Sequence, residues 1–299
     1  MTLRNTPRIA LIGFGEAGQA IASGLREEGI VDIVAWDILF PAAEGEKLKA
    51  AGVKAGVRLA TSAADATASR DIVISAVTAA SSLEAAQSVA PHLSGNPYYL
   101  DINSVSPGRK IATAALLDGK ARYVDIAVIA PIHPKRHRTP LLIAGPHAEA
   151  VAPLLTGMAM ALKVVSDETG KAAAIKMIRS VMIKGIEALT YECFLAAARA
   201  GLLEEVTDSL KNNYPGIDWR ETATYNLERM ASHGERRAAE MEESAATLRE
   251  LGLDPLMAGG TVVHQREMGR LGKTDAVRAT LDKDRAEILS AIEKTKFSH

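Results

Sequence analysis

Gly13, Gly15 and Gly18 stand in the spacing G-x-G-x-x-G within Gly13-Phe14-Gly15-Glu16-Ala17-Gly18. Each glycine answers a separate steric demand. The first permits a tight strand-to-helix turn, the second lets backbone approach a pyrophosphate, and the third lets the helix pack closely on the strand. The residues among them, Phe14, Glu16 and Ala17, would present backbone N–H groups at the positive end of the helix. A second apolar run, Asp32-Ile33-Val34-Ala35-Trp36, ends in Asp37. That position, about 20 residues past the motif, is where a carboxylate accepts hydrogen bonds from an adenosine ribose. A carboxylate there repels a 2′-phosphate. Lys47 is the first basic residue after it, so NAD is the expected cofactor, with NADP possible if Lys54 or Arg58 folds back.

A dinucleotide site does not specify a reaction, so the reacting groups have to be sought separately. Ser75, Val77 and Thr78 close one apolar run, and Asn103 and Ser104 follow another. Short polar side chains there suit a nicotinamide ribose or a substrate, and they equally suit turns that bond their own backbone. Lys176, Arg179, Ser180 and Glu187 fall within one face of a helix. A lysine facing the nicotinamide beside a second cation could exchange a proton with substrate. The same spacing also describes a solvated helix face. The run His133-Pro134-Lys135-Arg136-His137-Arg138 offers guanidinium forks for an anion, or an exposed loop held open by Pro131, Pro134 and Pro140.

The elements that must position these residues alternate in type. Apolar strands are expected at 8–12, 32–36, 71–77, 98–102, 123–128, 141–144 and 162–165, with helices between them. Ser106-Pro107 reads as an N-cap followed by proline at the first helical position. Alternation of this kind predicts a doubly wound, mostly parallel α/β sheet of Rossmann type over residues 1–166. The pattern changes at Asp167-Glu168-Thr169-Gly170. From 167 to 299 the chain reads as all-helical, apart from the ambiguous Thr261-Val262-Val263. Asp167 or Thr169 is the expected cap of a long helix carrying Ile175, Ile178, Met182, Ile186, Leu189 and Cys193 on one stripe. The cofactor's reactive end is expected to face the junction of the two domains.

The 299 residues allow two sizeable cores, and 47% hydrophobic with 24% charged residues is ordinary for a globular protein. A net charge of −1 without like-charge blocks argues against a nucleic-acid or membrane surface. One cysteine excludes an intramolecular disulfide, and the lone His233 and His264 make no ligand set, so no metal is expected. With no leader pattern and no spanning apolar run, the expected location is the cytoplasm.

The glycine motif, the segment Asp101-Ile102-Asn103-Ser104-Val105-Ser106-Pro107, and Gly170 followed by Lys176 together resemble the β-hydroxyacid dehydrogenase superfamily. This superfamily includes 3-hydroxyisobutyrate and 6-phosphogluconate dehydrogenases. The likeness runs over nearly the whole chain. The helical half, with Ile175-Lys176-Met177-Ile178-Arg179-Ser180 and Arg236-Arg237-Ala238-Ala239-Glu240-Met241-Glu242-Glu243, resembles an uncharacterised phosphogluconate-dehydrogenase-like branch. The resemblance implies an NAD(P)-dependent dehydrogenase or reductase acting on a small anionic hydroxy acid or its keto form, with Lys176 as general acid/base. Ser180 occupies the place of a substrate-binding asparagine. The family's Ser-Gly-Gly carboxylate segment is replaced here by Ile129 to Arg138, so its substrate recognition does not carry over. An imine reductase and a non-catalytic redox sensor remain as alternatives. The resemblance also implies a homodimer joined through the helical half.

Overall fold

A computed structural model describes residues 6–297 of the chain. The first half runs β1 (Ile9–Ile12), α1 (Glu16–Glu27), β2 (Ile33–Trp36), α2 (Glu46–Lys54), β3 (Arg58–Leu59), α3 (Ala63–Thr67), β4 (Ile72–Ser75), α4 (Ser82–Val89), β5 (Tyr98–Asp101), α5 (Pro107–Leu116), β6 (Arg122–Val128), β7 (Leu141–Ala144), α6 (Ala148–Gly157) and β8 (Leu162–Ser166). The helical half runs α7 (Lys171–Arg199), α8 (Leu203–Asn213), α9 (Trp219–Glu250), α10 (Leu256–Leu271), α11 (Asp275–Arg278) and α12 (Arg285–Phe297). Two compact units divide between Lys176 and Met177, within α7. None of the described helices is long and apolar enough to cross a membrane.

The first unit holds one eight-stranded sheet, ordered β3-β2-β1-β4-β5-β6-β7-β8. All neighbours are parallel except β6 and β7. This is the expected doubly wound, mostly parallel α/β arrangement. The strands are apolar on both faces because helices cover both. Ile9, Leu11, Ile72, Ile74, Leu100 and Ile126 pack with α1 and α6 on one side. Ala10, Val34, Val73, Tyr99 and Tyr123 pack with α3 and α4 on the other. The register aligns Ile12 with Ser75, Ser75 with Asp101, and Asp101 with Asp125. Three polar residues therefore stand in a row across the sheet, Ser75 and Asp101 at the carboxyl ends of β4 and β5 and Asp125 in the middle of β6.

The second unit has helices and no strand among its described residues. Thr261-Val262-Val263 lies inside α10, where β-branched residues are tolerated because Thr261 and Val262 are buried. Tyr191, Phe194, Leu227, Met230, Met268, Ile288 and Ile292 form its main core. One expectation for α7 needs correction. Neither Asp167 nor Thr169 caps it: the Asp125 carboxylate on β6 accepts hydrogen bonds from the N–H groups of Gly170 and Ala173, both at 3.1 Å. The apolar stripe faces outward in the single chain: Met182 is 65% and Leu189 54% exposed, and Ile175, Ile178 and Ile186 are exposed with them. Met177, Ser180, Lys184, Glu187, Ala188 and Tyr191 are among the buried residues on that helix.

The basic run folds onto α1. Arg136 pairs with Glu27, Arg138 with Glu28 at 2.5 Å, and the His137 ring, 3% exposed, lies 3.2 Å from Glu28. Gly24 on α1 makes room for that ring, because a Cβ there would fall 1.9 Å from His137 Nδ1. Burial holds the His137 pKa below its ordinary 6.5, outweighing the attraction of Glu28. The unfolded chain therefore takes up this proton first, and the contribution of His137 to stability begins to fall as pH drops through about 6.5 and is lost as it passes the lower pKa of the folded protein. Gly24→Ala should overpack this contact and cost about 1–3 kcal/mol in denaturant unfolding at pH 7. In a His137→Ala background the cost should largely vanish, together with His137's share of the acid destabilisation between pH 7.5 and 5.5; an unreduced cost there would refute the contact.

Candidate functional site

The β1–α1 turn is built as the three glycines require. Gly13 has φ +90°, and a Cβ on it would lie 2.4 Å from the Ala76 carbonyl oxygen. A Cβ on Gly18 would lie 2.4 Å from the Gly13 oxygen, so α1 seats directly on the turn. Gly15 is the N-cap of α1 and has no side-chain cap, and nothing lies within 4 Å of where its Cβ would be. Gly15 and Glu16 are exposed, and Ala17 is half-buried. The first-turn N–H groups thus open onto empty space at the positive end of a helix, which suits a pyrophosphate.

Phe14 contributes differently from its neighbours. Its side chain is core, edge-on to Phe40 at 6.2 Å, and its N–H donates to Asp37 Oδ2 at 2.7 Å. The other Asp37 oxygen accepts from Leu39 N at 3.0 Å. Asp37 therefore fixes the glycine turn and its own loop while keeping further acceptor capacity for a ribose diol. Arg58, a possible 2′-phosphate clamp, is engaged with Asp65 at 2.9 Å.

At the ends of β4 and β5 the polar residues bond one another. Asn103 Oδ1 accepts from Val77 N at 2.7 Å, and its Nδ2 donates to Ser75 Oγ at 2.9 Å. Ser75 is completely buried and Asn103 nearly so. Their side chains set the shape of the two strand ends, leaving the surface there to Val77, Thr78 and Ser104. Thr78 is exposed and donates to Ser81 Oγ at 3.2 Å. Ser104 Oγ accepts a hydrogen bond from Lys176 Nζ at 2.5 Å. Lys176 and Ser104, distant in sequence, thus meet at the carboxyl edge of the sheet.

Beneath them lies a buried ionic cluster that the sequence reading did not single out. Lys110 Nζ is 3.0 Å from Asp101 Oδ1 and 3.5 Å from Asp125 Oδ1, with all three side chains at most 1% exposed. It also donates to the Asp101 carbonyl at 2.6 Å, and the Tyr123 hydroxyl donates to Asp101 Oδ2 at 2.8 Å. Burial raises the pKa of Asp125, opposed by the Lys110 charge and by the Ala173 and Gly170 N–H groups. The signal was present in the sequence as an aspartate inside the apolar strand Tyr123–Val128, and as Lys110 one turn before the inward-facing Thr113.

Ser180 and Glu187 are buried within the second unit. Ser180 Oγ accepts from Lys184 Nζ at 3.4 Å, and Lys184 pairs with Glu240 at 2.8 Å. Glu187 is held by Arg237 and by Gln265 Nε2 at 2.8 Å. Arg179 is exposed, so the four residues expected on one face do not share one environment. His133 is exposed and His264 pairs with Glu192. Among the described residues no cluster of three metal-ligating side chains occurs.

A mostly parallel sheet with an open glycine-turn helix terminus and an acidic residue after β2 has the geometry of a dinucleotide-binding Rossmann fold. Residues 8–103 match the family described as NADP oxidoreductase, coenzyme F420-dependent, and residues 197–268 match a domain of unknown function, DUF1932. A conserved hypothetical protein from Sinorhizobium meliloti 1021 is 35% identical, with 97% of each chain covered and a TM-score of 0.78. A conserved protein of unknown function, whose structure revealed similarity with 3-hydroxyacid dehydrogenases, is 32% identical over 89% of this chain and 98% of its own, with a TM-score of 0.70. At the level of fold alone, a Mycobacterium tuberculosis 3-hydroxyisobutyrate dehydrogenase in complex with L-serine has a TM-score of 0.71 at 15% identity, covering 98% of this chain and 100% of its own. An imine reductase from Myxococcus stipitatus in complex with NADP+ has a TM-score of 0.54 at 21% identity, covering 96% and 99%. The chain belongs to the β-hydroxyacid dehydrogenase superfamily and has its NAD(P)-dependent dehydrogenase/reductase fold.

Proposed function

We propose that the protein oxidises a small, polar, anionic hydroxy acid, or reduces its keto form, with Lys176 as general acid/base. The observation that carries this reading is the Lys176 Nζ–Ser104 Oγ hydrogen bond at the carboxyl edge of the sheet, where ligands of open α/β sheets bind. The nicotinamide, when bound, takes or gives the hydride. Gly13 to Gly18 would hold the pyrophosphate, Asp37 the adenosine ribose, and Val77, Thr78 and Ser104 the surface nearest the nicotinamide ribose, shaped from below by Ser75 and Asn103. In oxidation the neutral Lys176 amine takes the substrate's hydroxyl proton as hydride leaves the adjoining carbon. In reduction the ammonium returns that proton to the new alkoxide oxygen. Ser104 orients the amine, and Ser180, one turn further along α7, is the proposed substrate contact.

For the cofactor, the Asp37 carboxylate and the engagement of Arg58 with Asp65 favour NAD over NADP. NADH should therefore bind more tightly than NADPH in a fluorescence titration. Asp37→Ala should narrow the difference, and Gly15→Val should weaken both by filling the space left for the pyrophosphate. A wild-type preference for NADPH would remove the role given to Asp37.

The exposed stripe Ile175, Ile178, Met182, Ile186 and Leu189 supports a homodimer in which α7 faces are covered by a second copy. Light scattering at micromolar concentration should give twice the chain mass, and Met182→Glu with Ile186→Glu should give a monomer. A monomeric wild type would exclude the dimer.

The acid/base role is tested on whichever compound a panel of hydroxy and keto acids, with imines included, first shows to turn over. Lys176→Ala should leave folding and NADH affinity nearly unchanged while turnover falls by roughly two to four orders of magnitude. Lys176→Arg should restore little, because a guanidinium does not deprotonate near neutral pH. Ser180→Ala should act mainly on KM. Near-normal turnover in Lys176→Ala would assign the proton to another group, and an imine as sole substrate would favour the reductase alternative.

A further inference from the structure

Two buried carboxylates each hold one half of the Lys176–Ser104 pair. Asp101 Oδ1 accepts the N–H of Asn103 at 2.9 Å, which fixes the backbone immediately before Ser104. Asp125 Oδ2 accepts the N–H groups of Gly170 and Ala173, which fixes the first turn of α7, one turn before Lys176. Gly170, at φ +95°, has no side chain with which to cap that turn itself. Lys110 lies between the two carboxylates and also ties down the carbonyls of Asp101 and, at 3.3 Å, Ile126.

We propose that Lys110, through Asp101 and Asp125, is the positioning group that sets Lys176 against Ser104. The inference rests on the acid/base reading of Lys176. Stability alone does not account for such a cluster, since buried ion pairs are often replaceable by apolar residues at no net cost. Geometry does, because an acid/base group displaced by about 1 Å can lose on the order of a hundredfold in rate. The cluster also restricts both arms at once. If Lys110 is removed, Asp101 and Asp125 are left as neighbouring buried anions across β5 and β6, and the row that carries Ser104 and the α7 cap is pushed apart.

The test needs no substrate. Surface lysines and Lys176 are labelled by reductive 13C-methylation, and the Lys176 resonance is assigned by its absence in Lys176→Arg. An ordered, hydrogen-bonded dimethyl-lysine gives two inequivalent methyl signals, whereas a freely rotating one gives a single sharp line. Wild-type Lys176 should show the first pattern, and Lys110→Met and Asp125→Asn should each collapse it to the second. Lys171, exposed on the same helix, serves as the control and should not change. Crystal structures of the variants should show Lys176 Nζ withdrawn from Ser104 Oγ. If one variant does not fold, the other and Asp101→Asn carry the same test, read well below their unfolding temperatures. An unchanged Lys176 signal and distance in a folded variant would overturn the positioning role, even where stability has dropped. Loss of the acid/base role would instead appear as normal turnover in Lys176→Ala, so the two failures are separate results.

Discussion

The close seating of α1 on the end of β1 is the constraint from which the rest of the first unit follows. Neither Gly13 nor Gly18 has room for a Cβ, and the nearest atom in the way is in each case a backbone carbonyl oxygen. With helix and turn locked at that distance, the Phe14 N–H is left pointing outward, and Asp37 takes it. On the other side the turn meets Ala76 and Val77, whose backbone is held by Asn103. Asn103 is held in turn by Asp101, Asp101 by Lys110, and Lys110 also by Asp125, which caps α7. One continuous set of contacts therefore runs along the carboxyl edge of the sheet, from the expected cofactor turn to the lysine proposed for proton transfer.

Most links in that chain are backbone groups or buried side chains that bond one another. This is a rigid way to build a site, because moving one of these bonded groups would leave its partner unpaired in a low-dielectric interior. The register makes it possible. Ser75, Asp101 and Asp125 stand at matching positions on adjacent strands, and all three side chains leave the same face of the sheet. The second unit uses the same principle in Glu187, Arg237 and Gln265, where a buried carboxylate joins three helices.

The glycine turn and the α/β-then-α organisation were legible in the sequence because they depend on local steric rules and hydrophobic period. Lys110 was not, since a helical lysine reads as solvent-facing unless its carboxylate partners are known, and those lie on two other strands. The cap of α7 was misread for the same reason: Asp167 and Thr169 are near in sequence, while Asp125 is near in space. For the α7 stripe, period identified the face but not what it meets. Its apolar residues are exposed in the single chain, and the buried face carries Ser180, Lys184 and Glu187. The pattern is inside-out for a monomeric helix, which is why periodicity alone could not assign it.

The basic loop bears directly on substrate recognition. Its residue types offered an anion site, and the resemblance to the superfamily left the substrate's carboxylate without its usual Ser-Gly-Gly partner. Yet Arg136 and Arg138 are matched to Glu27 and Glu28, and His137 is inserted at Gly24. A substrate anion would have to displace these carboxylates from partners already in contact, and would gain little, because exposed ion pairs contribute only about 0–1 kcal/mol. Docking on α1 therefore turns the run from a recognition element into a brace on the helix that carries the glycine turn. Selectivity for the anionic substrate proposed above would then come from groups other than these two arginines.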